Sequence, residues 1–239
     1  MARGGGGLWI AGGLLGGEAQ YVLWVIALAI AYGAPMTGYY IPGLGRSRTS
    51  KWPVEGGHFA ERCRLFVIIV LGESLLVTGT TFGRIEVSTA NITAFVVAFL
   101  GSVALWWIYF QRSEEAAHAT ISSSEDPGRL ARSAYTYFHL PMIAGILAFA
   151  AADELTVAHP GEHGTPTSIV LTLGGLAPFL AGHALFEWAV FGVLSWSHVV
   201  AIAMLAVLIP VGFAIPTLAL SGVASLIVLG LAVRETLAY

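Results

Sequence analysis

One carboxylic acid interrupts a long apolar stretch of this sequence. Glu73 lies between Gly72 and Ser74, inside an apolar segment at residues 58–82 that is long enough to cross a bilayer. A carboxylate at that depth is costly unless it is protonated, paired or facing water. Glu73 and Ser74 are therefore a candidate site for a proton, a cation or a substrate. The alternative is a hydrogen-bonded residue that packs helices together, helped by its small neighbours.

Further polar groups stand at the start of the same segment. Arg62 and Glu73 are eleven positions apart, which places them about 20° from one helical face and about 16 Å apart along the axis. His58 lies about 60° from the same line. These three residues would form a polar track towards mid-membrane, or Arg62 could instead extend to the lipid headgroups. Glu61 lies three residues after His58 and could pair with it. The same spacing occurs in metal sites, but a single pair is weak evidence for one.

A second pair of ionisable residues lies in a later apolar segment. His183 and Glu187 are four residues apart and share one face of a predicted helix. They could form a packed hydrogen bond, an ion pair, a relay partner for Glu73, or half of a metal site. His139, two residues before Pro141, is expected to pack and form hydrogen bonds. A solvated loop or a cation site is expected where acidic residues and histidines cluster: Asp153, Glu154, His159, Glu162 and His163.

The composition places the chain among membrane proteins. Of its 239 residues, 56% are hydrophobic and 10% are charged, and the mean hydropathy is +0.79. Soluble domains carry about 25% charged residues. No basic tract indicates nucleic-acid binding, and the single cysteine, Cys63, excludes an intramolecular disulfide. Because Walker A, GxSxG and HExxH motifs are missing, we expect no ATP-driven transport by this chain alone. Separately, the favoured expectation includes no cofactor and no bound metal.

Seven apolar segments predict an all-α, polytopic membrane protein in which residues 20–239 form one transmembrane domain. The last apolar region, residues 199–233, would be about 50 Å long as one helix, against a hydrocarbon core of about 30 Å. It must fold back, and Pro210 and Pro216 mark the turn. The predicted spans are 21–41, 58–82, 91–111, 133–155, 168–190, 199–212 and 216–233.

The first 19 residues differ from the rest. Eight glycines between Gly4 and Gly17 argue against a stable helix, because each costs up to about 1 kcal/mol relative to alanine. We interpret residues 1–19 as a disordered leader or as the remnant of a preceding span.

The basic residues predict the orientation. With seven spans, nine of the eleven Lys and Arg residues fall on one side of the membrane, and only Arg3 and Arg84 fall on the other. Positive charge concentrates on the cytoplasmic side. The N-terminus is therefore predicted outside.

Residues 42–74 read PGLGRSRTSKWPVEGGHFAERCRLFVIIVLGES. This stretch resembles the signature region of the bacterial low temperature requirement A (LtrA) family, and the later alternation of apolar segments and loops is similar to the family's C-terminal part. The residues at the expected spacing are Gly43, Gly45, Arg46, Ser47, Arg48, Gly56, Gly57, His58, Glu61, Arg62, Leu65, Phe66, Gly72, Glu73 and Ser74.

The resemblance implies an architecture, that of a multi-pass protein of the bacterial inner membrane, rather than a mechanism. The chain departs from the family pattern in two ways. Family members are usually longer and begin with a helix bearing an acidic, Phe-rich motif that this sequence does not show. That departure leads us to expect a truncated chain, a misassigned start or half of a split protein. Arg64 also stands where a small residue, often glycine, is expected.

The favoured hypothesis is a secondary transporter or a proton or cation permeation unit that uses Glu73. One alternative is a membrane-embedded enzyme acting on lipid, with His58, Glu61, His183 and Glu187 as acid–base groups. Another is a non-catalytic scaffold or sensor. The expected partners are the lipid bilayer and a proton, cation or small molecule, but not nucleic acid. Either a homo-oligomer or a missing N-terminal half fits the sequence.

Overall fold

The computed structural model describes residues 2–36, 56–111, 117, 119–121, 123–124 and 126–238. These residues form helices joined by turns and contain no strand, apart from one isolated bridge between His163 and Pro216. The all-α prediction is therefore confirmed for this part of the chain. The chain divides into two compact units, Met1–Pro53 and Val54–Tyr239.

The first unit is a pair of helices, α1 (Ala2–Leu15) and α2 (Gly17–Met36). The indole of Trp24 donates a hydrogen bond to the carbonyl of Trp9 at 3.2 Å. A Cβ on Gly12 would lie 2.8 Å from the Trp24 ring, so this glycine lets the ring approach the backbone of α1. The argument that the glycines prevent a helix here is therefore wrong, because glycine also permits the close packing that supports the helix.

Seven α-helices of the second unit have defined bounds, and residues 117 and 119–121 are also helical. A π-helical turn, Ser133–Tyr137, joins two of the seven, Pro127–Arg132 and His139–Ala158. The helices are α3 (Gly56–Phe82), α4 (Thr89–Phe110), α5 (Pro127–Arg132), α6 (His139–Ala158), α7 (Pro166–Phe191), α8 (Trp196–Gly212) and α9 (Thr217–Ala238).

Five helical stretches of the described chain are long and apolar enough to cross a membrane. The apolar helices Gly17–Gly33 and Trp196–Gly212, which correspond to two further predicted spans, are shorter. The fold-back at the C-terminus occurs where the prolines indicate it, since α8 ends at Gly212 and α9 begins at Thr217. The five stretches are Ala60–Phe82, Thr89–Phe110, Pro127–Ala158, Pro166–Phe191 and Thr217–Ala238.

Glycines bring α6 and α7 into backbone contact. A Cβ on Gly145 would lie 2.4 Å from the carbonyl oxygen of Gly175, and one on Gly182 would lie 2.6 Å from the carbonyl oxygen of Phe138. Small residues allow this close approach between membrane helices, where lipid removes the hydrophobic drive for association. The contact fixes the position of α7, whose C-terminal half carries His183 and Glu187.

The ends of α7 have clear local causes. Thr165 and Ser168 form a reciprocal capping box at its start, which satisfies backbone N–H groups that lack helical partners. Gly192 ends it with φ of 70°, a left-handed conformation that favours glycine. The chain then turns and begins α8 at Trp196, so the end of α7 and the start of α8 lie close together.

Candidate functional site: a buried histidine and carboxylate cluster

Four ionisable side chains from three helices meet inside the second unit. His183 and Glu187 belong to α7, His198 to the first turn of α8, and Glu235 to the last turn of α9. Their exposed fractions are 5%, 2%, 0% and 5%, respectively. We call these four residues the His–Glu cluster.

The order of the helices explains why these residues meet. His183 and Glu187 are one turn apart on the same face of α7. The short turn after Gly192 reverses the chain, so the first turn of α8 packs beside the last turns of α7. Helix α9 runs back along α8 after the turn at residues 213–216 and brings Glu235 to the same end.

His198 is the centre of a hydrogen-bond network. Its Nε2 lies 3.0 Å from Nδ1 of His183, and its Nδ1 lies 3.1 Å from Oε1 of Glu235 and 2.8 Å from Oγ of Ser195. A carboxylate accepts hydrogen bonds, so we assign a proton to Nδ1 of His198. Its Nε2 then faces Nδ1 of His183, and a proton on one of these two nitrogens makes the hydrogen bond between them.

Two serines complete the network around Glu235. Ser195 and Ser197 donate hydrogen bonds to Oε1 of Glu235 at 3.1 and 3.0 Å. In a nucleophile–histidine–acid relay, the hydroxyl and the acid occupy opposite ring nitrogens. Here Ser195 and Glu235 share Nδ1 of His198, so this arrangement does not activate Ser195 as a nucleophile. The serines instead hold the carboxylate against the imidazole.

A small cavity of about 50 Å³ adjoins the cluster. Its polar lining includes His183 and Glu187, with Arg64 from α3, Tyr109 from α4 and His139 from α6. The hydroxyl of Tyr109 lies 2.9 Å from Nε2 of His139, whose Nδ1 lies 2.8 Å from the carbonyl oxygen of Ala134. The expectation that His139 packs and forms hydrogen bonds is confirmed. The cavity has room for a few water molecules.

A second polar region lies towards the other end of α6. Asp153 is 1% exposed, and its Oδ1 accepts a hydrogen bond from Ser221 at 3.5 Å. Its Oδ2 is buried and accepts no hydrogen bond from the residues that the structure describes. The prediction that Asp153 belongs to a solvated loop cluster is therefore wrong, because α6 continues to Ala158.

Hydroxyl groups continue from Asp153 towards α3. Ser225 follows Ser221 by one turn of α9, and a Cβ on Gly101 would lie 2.9 Å from its Oγ. Ser102 follows Gly101 in the sequence, and its Oγ lies 3.4 Å from Oγ of Ser74. We call Asp153, Ser221, Ser225, Ser102 and Ser74 the hydroxyl seam.

The other residues of the predicted loop cluster lie near the surface. Glu154 is exposed and accepts a hydrogen bond from Thr81 at 3.3 Å. His159 and Glu162 are exposed and approach each other to 3.4 Å, and His163 is also exposed. This part of the cluster matches the solvated alternative.

The structure separates the other predicted site residues. Ser74 is buried in the hydroxyl seam, whereas Glu73 is exposed on α3 and belongs neither to the His–Glu cluster nor to the cavity lining. Glu61 and Arg62 are exposed near the start of α3. The side chain of His58 lies outside the described residues. Among the basic residues of α3, Arg64 rather than Arg62 lines the cavity.

Sequence reasoning missed His198, Glu235, Ser195 and Ser197. His198 directly precedes a predicted span, and Glu235 follows another, so both resembled ordinary polar residues at the ends of membrane helices. The available signal was the run Ser195–Trp196–Ser197–His198, which places three polar groups within one helical turn. Their convergence on α7 depends on helix packing, which the sequence pattern does not show.

The sequence was compared with known proteins. The sequence model of the family described as bacterial low temperature requirement A protein matches residues 3–233. An uncharacterized protein of Rhizobium meliloti (strain 1021), RA0937, is 37% identical over 199 residues, which are 82% of this chain and 48% of that protein. The chain thus spans about half the length of this curated relative. No solved structure matches.

Proposed function

Because the chain belongs to the bacterial low temperature requirement A (LtrA) family and carries several helices that are apolar enough to cross a bilayer, we propose that it transports or conducts a proton or another cation across the bacterial inner membrane. The His–Glu cluster is its central cation site. The single observation behind this proposal is the burial of two imidazoles and two carboxylates where three apolar helices meet, two of which are of membrane length. Such groups are rare in membrane segments and mark ion pathways.

The proposal includes the predicted topology. Helices α2 and α8 complete seven spans, and the N-terminus is outside. Nine of eleven basic residues then face the cytoplasm, as the positive-inside tendency requires. The His–Glu cluster and its cavity would lie towards the cytoplasmic ends of the helices, because α7 ends, α8 begins and α9 ends there.

The hydroxyl seam supplies polar groups for the opposite half of the membrane. His139 and Asp153 both belong to α6 and are separated by about 21 Å along the helix axis. One helix thus carries a buried polar residue beside the inner cavity and another within the seam. We propose that a cation passes between these two regions along α6, with Asp153 as the outer site.

Glu73 has a different place in this proposal from the one suggested by sequence alone. It is exposed on α3, beside exposed apolar residues such as Ile69 and Leu76. We therefore place it outside the cation pathway.

The test is cation flux in proteoliposomes under an imposed ion gradient and voltage. Native protein is expected to give flux that Glu235→Gln reduces at least tenfold, because the amide loses the charge that orients His198. Glu162→Gln changes an exposed carboxylate outside the cluster and serves as the matched control. Unchanged flux in folded Glu235→Gln would contradict the proposal, as would the absence of flux from folded native protein.

A further inference from the structure

We propose that His183, Glu187 and His198 bind a divalent transition-metal ion such as Zn²⁺, with Glu235 positioning His198. This inference rests on the proposed function for its physiological sense and deepens it by naming the class of cation. One ligand atom from each of the three residues lies within 4.8 Å of the others. Each of the three side chains is at least nine-tenths buried.

The spacing of the nitrogens is close to that of two ligands on one metal. Nδ1 of His183 and Nε2 of His198 are 3.0 Å apart. Two imidazole nitrogens bound to a tetrahedral Zn²⁺ are about 3.3 Å apart, given Zn–N distances of about 2.0–2.1 Å. The rings therefore need to separate by only a few tenths of an ångström for an ion to replace the direct hydrogen bond.

The donor atoms favour a transition metal over Ca²⁺ or Mg²⁺. Two imidazoles and one carboxylate are a common set for Zn²⁺ sites that keep a fourth position open. The hard cations prefer oxygen ligands alone. The adjoining cavity, which His183 and Glu187 line, offers room for a water molecule at that position. A site with an open position suits an ion that must enter and leave.

Glu235 and its serines provide the outer support that such a ligand requires. Metal-bound histidines usually donate their other N–H group to a carboxylate, which fixes the tautomer and the orientation of the ring. Glu235 stands 3.1 Å from Nδ1 of His198, and Ser195 and Ser197 donate to the same carboxylate oxygen. The Nε2 lone pair of His198 is thereby directed towards His183.

The positive charge of Arg64, on the cavity side of the site, would repel an incoming cation. Arg64 lines the same cavity, but its side chain is exposed and its guanidinium carbon lies 5.3 Å from the centre of the Phe110 ring. The positive charge thus has aromatic and solvent contacts, which reduce its repulsion of an incoming cation. Glu187 and Glu235 place two carboxyl groups within the cluster itself.

The experiment is a metal titration of the purified full-length chain, without a polyhistidine tag, in detergent. Co²⁺ provides an absorption signal and Zn²⁺ competes for the same site. We expect one ion per chain, and at least 100-fold weaker binding in His198→Gln and in Glu187→Gln. Glu235→Gln should weaken binding about 10–100-fold. Size-exclusion profiles identify the variants that are folded. If His198→Gln does not fold, Glu187→Gln still tests the site, because glutamine has nearly the same volume as glutamate.

A double variant controls for adventitious binding. His159→Gln with His163→Gln removes two exposed histidines and should leave affinity and stoichiometry unchanged. Loss of binding in this double variant, or unchanged binding in folded Glu187→Gln and His198→Gln, would overturn the metal site. Metal binding without any flux in proteoliposomes would support the site and contradict the transport proposal. Proton flux without metal binding would support the transport proposal and overturn the metal site.

Discussion

His198 illustrates how one side chain determines the character of the site. It is fully buried, and both of its ring nitrogens are engaged, one by His183 and the other by Glu235 and Ser195. Apolar residues would pack this space without the penalty of burying polar groups. The network instead gives both ring nitrogens of His198 a hydrogen-bond partner. Nδ1 of His183 lies 3.0 Å from Nε2 of His198. This arrangement is the basis of the proposal that the cluster exchanges a proton or a cation.

Loss of charge at Glu235 should also be visible in stability. Its Oε1 accepts hydrogen bonds from His198, Ser195 and Ser197. We expect Glu235→Gln to lower the free energy of unfolding by about 1–3 kcal/mol, because an amide places donors where acceptors are needed. Ser197→Ala should cost about 1 kcal/mol, since Ser195 still donates to the carboxylate.

Thermal unfolding in detergent measures the stability of Glu235→Gln and Ser197→Ala. Glu162→Gln, at an exposed position, is the control and should leave the midpoint within error of native protein. Equal midpoints for native protein and Glu235→Gln would mean that the carboxylate does not hold His198 in place.

The helices themselves were largely predictable, whereas their buried faces were not. Apolar length and turn residues give boundaries for α3, α4, α7 and α8 within a few residues of those observed. In a membrane helix, however, both faces are apolar, so periodicity does not show which face points inward. The buried stripe of α3 contains Val67, Val70, Leu71, Ser74 and Thr78, and it leaves Glu73 on the exposed side.

The glycine contact between α6 and α7 gives a prediction at the scale of elements. A Cβ at Gly175 would lie 2.7 Å from the backbone nitrogen of Phe149, so Gly175→Ala must separate the helices. We expect a loss of about 1–3 kcal/mol from overpacking. The neighbouring Gly174 provides a matched control, because its Cβ would meet only Val170 at 3.7 Å.

Unfolding midpoints of the two alanine variants compare these sites directly. Gly174→Ala should be neutral or stabilising by up to about 1 kcal/mol, from the higher helix propensity of alanine. If Gly175→Ala is as stable as Gly174→Ala, close backbone packing does not define the α6–α7 pair.

At the scale of the whole molecule, composition and charge were enough to predict the class. The low share of charged residues indicates a membrane protein, and the family resemblance in residues 42–74 agrees with the match over residues 3–233. The candidate site was predicted only in part. His183 and Glu187 share a helical face and were identified from sequence. His198 joins them through the packing of the next helix, and Glu235 joins them from a helix further along the chain.

Orientation can be tested with single cysteines in a Cys63→Ala background. Glu162→Cys lies in the turn between α6 and α7, and Ser123→Cys lies before α5; both positions are exposed. With the N-terminus outside, a membrane-impermeant maleimide added to intact cells should label Glu162→Cys but not Ser123→Cys. Lysed cells should show labelling of both. The reverse pattern in intact cells would invert the proposed topology.

The measurement that tests the account most directly is proteoliposome flux of native protein, Glu235→Gln and Glu73→Gln compared side by side. We predict that Glu235→Gln reduces flux at least tenfold and that Glu73→Gln retains it, because Glu235 supports the buried cluster while Glu73 lies on the exposed face of α3. Retained flux in folded Glu235→Gln, with flux abolished in Glu73→Gln, would contradict the account and return the cation site to Glu73.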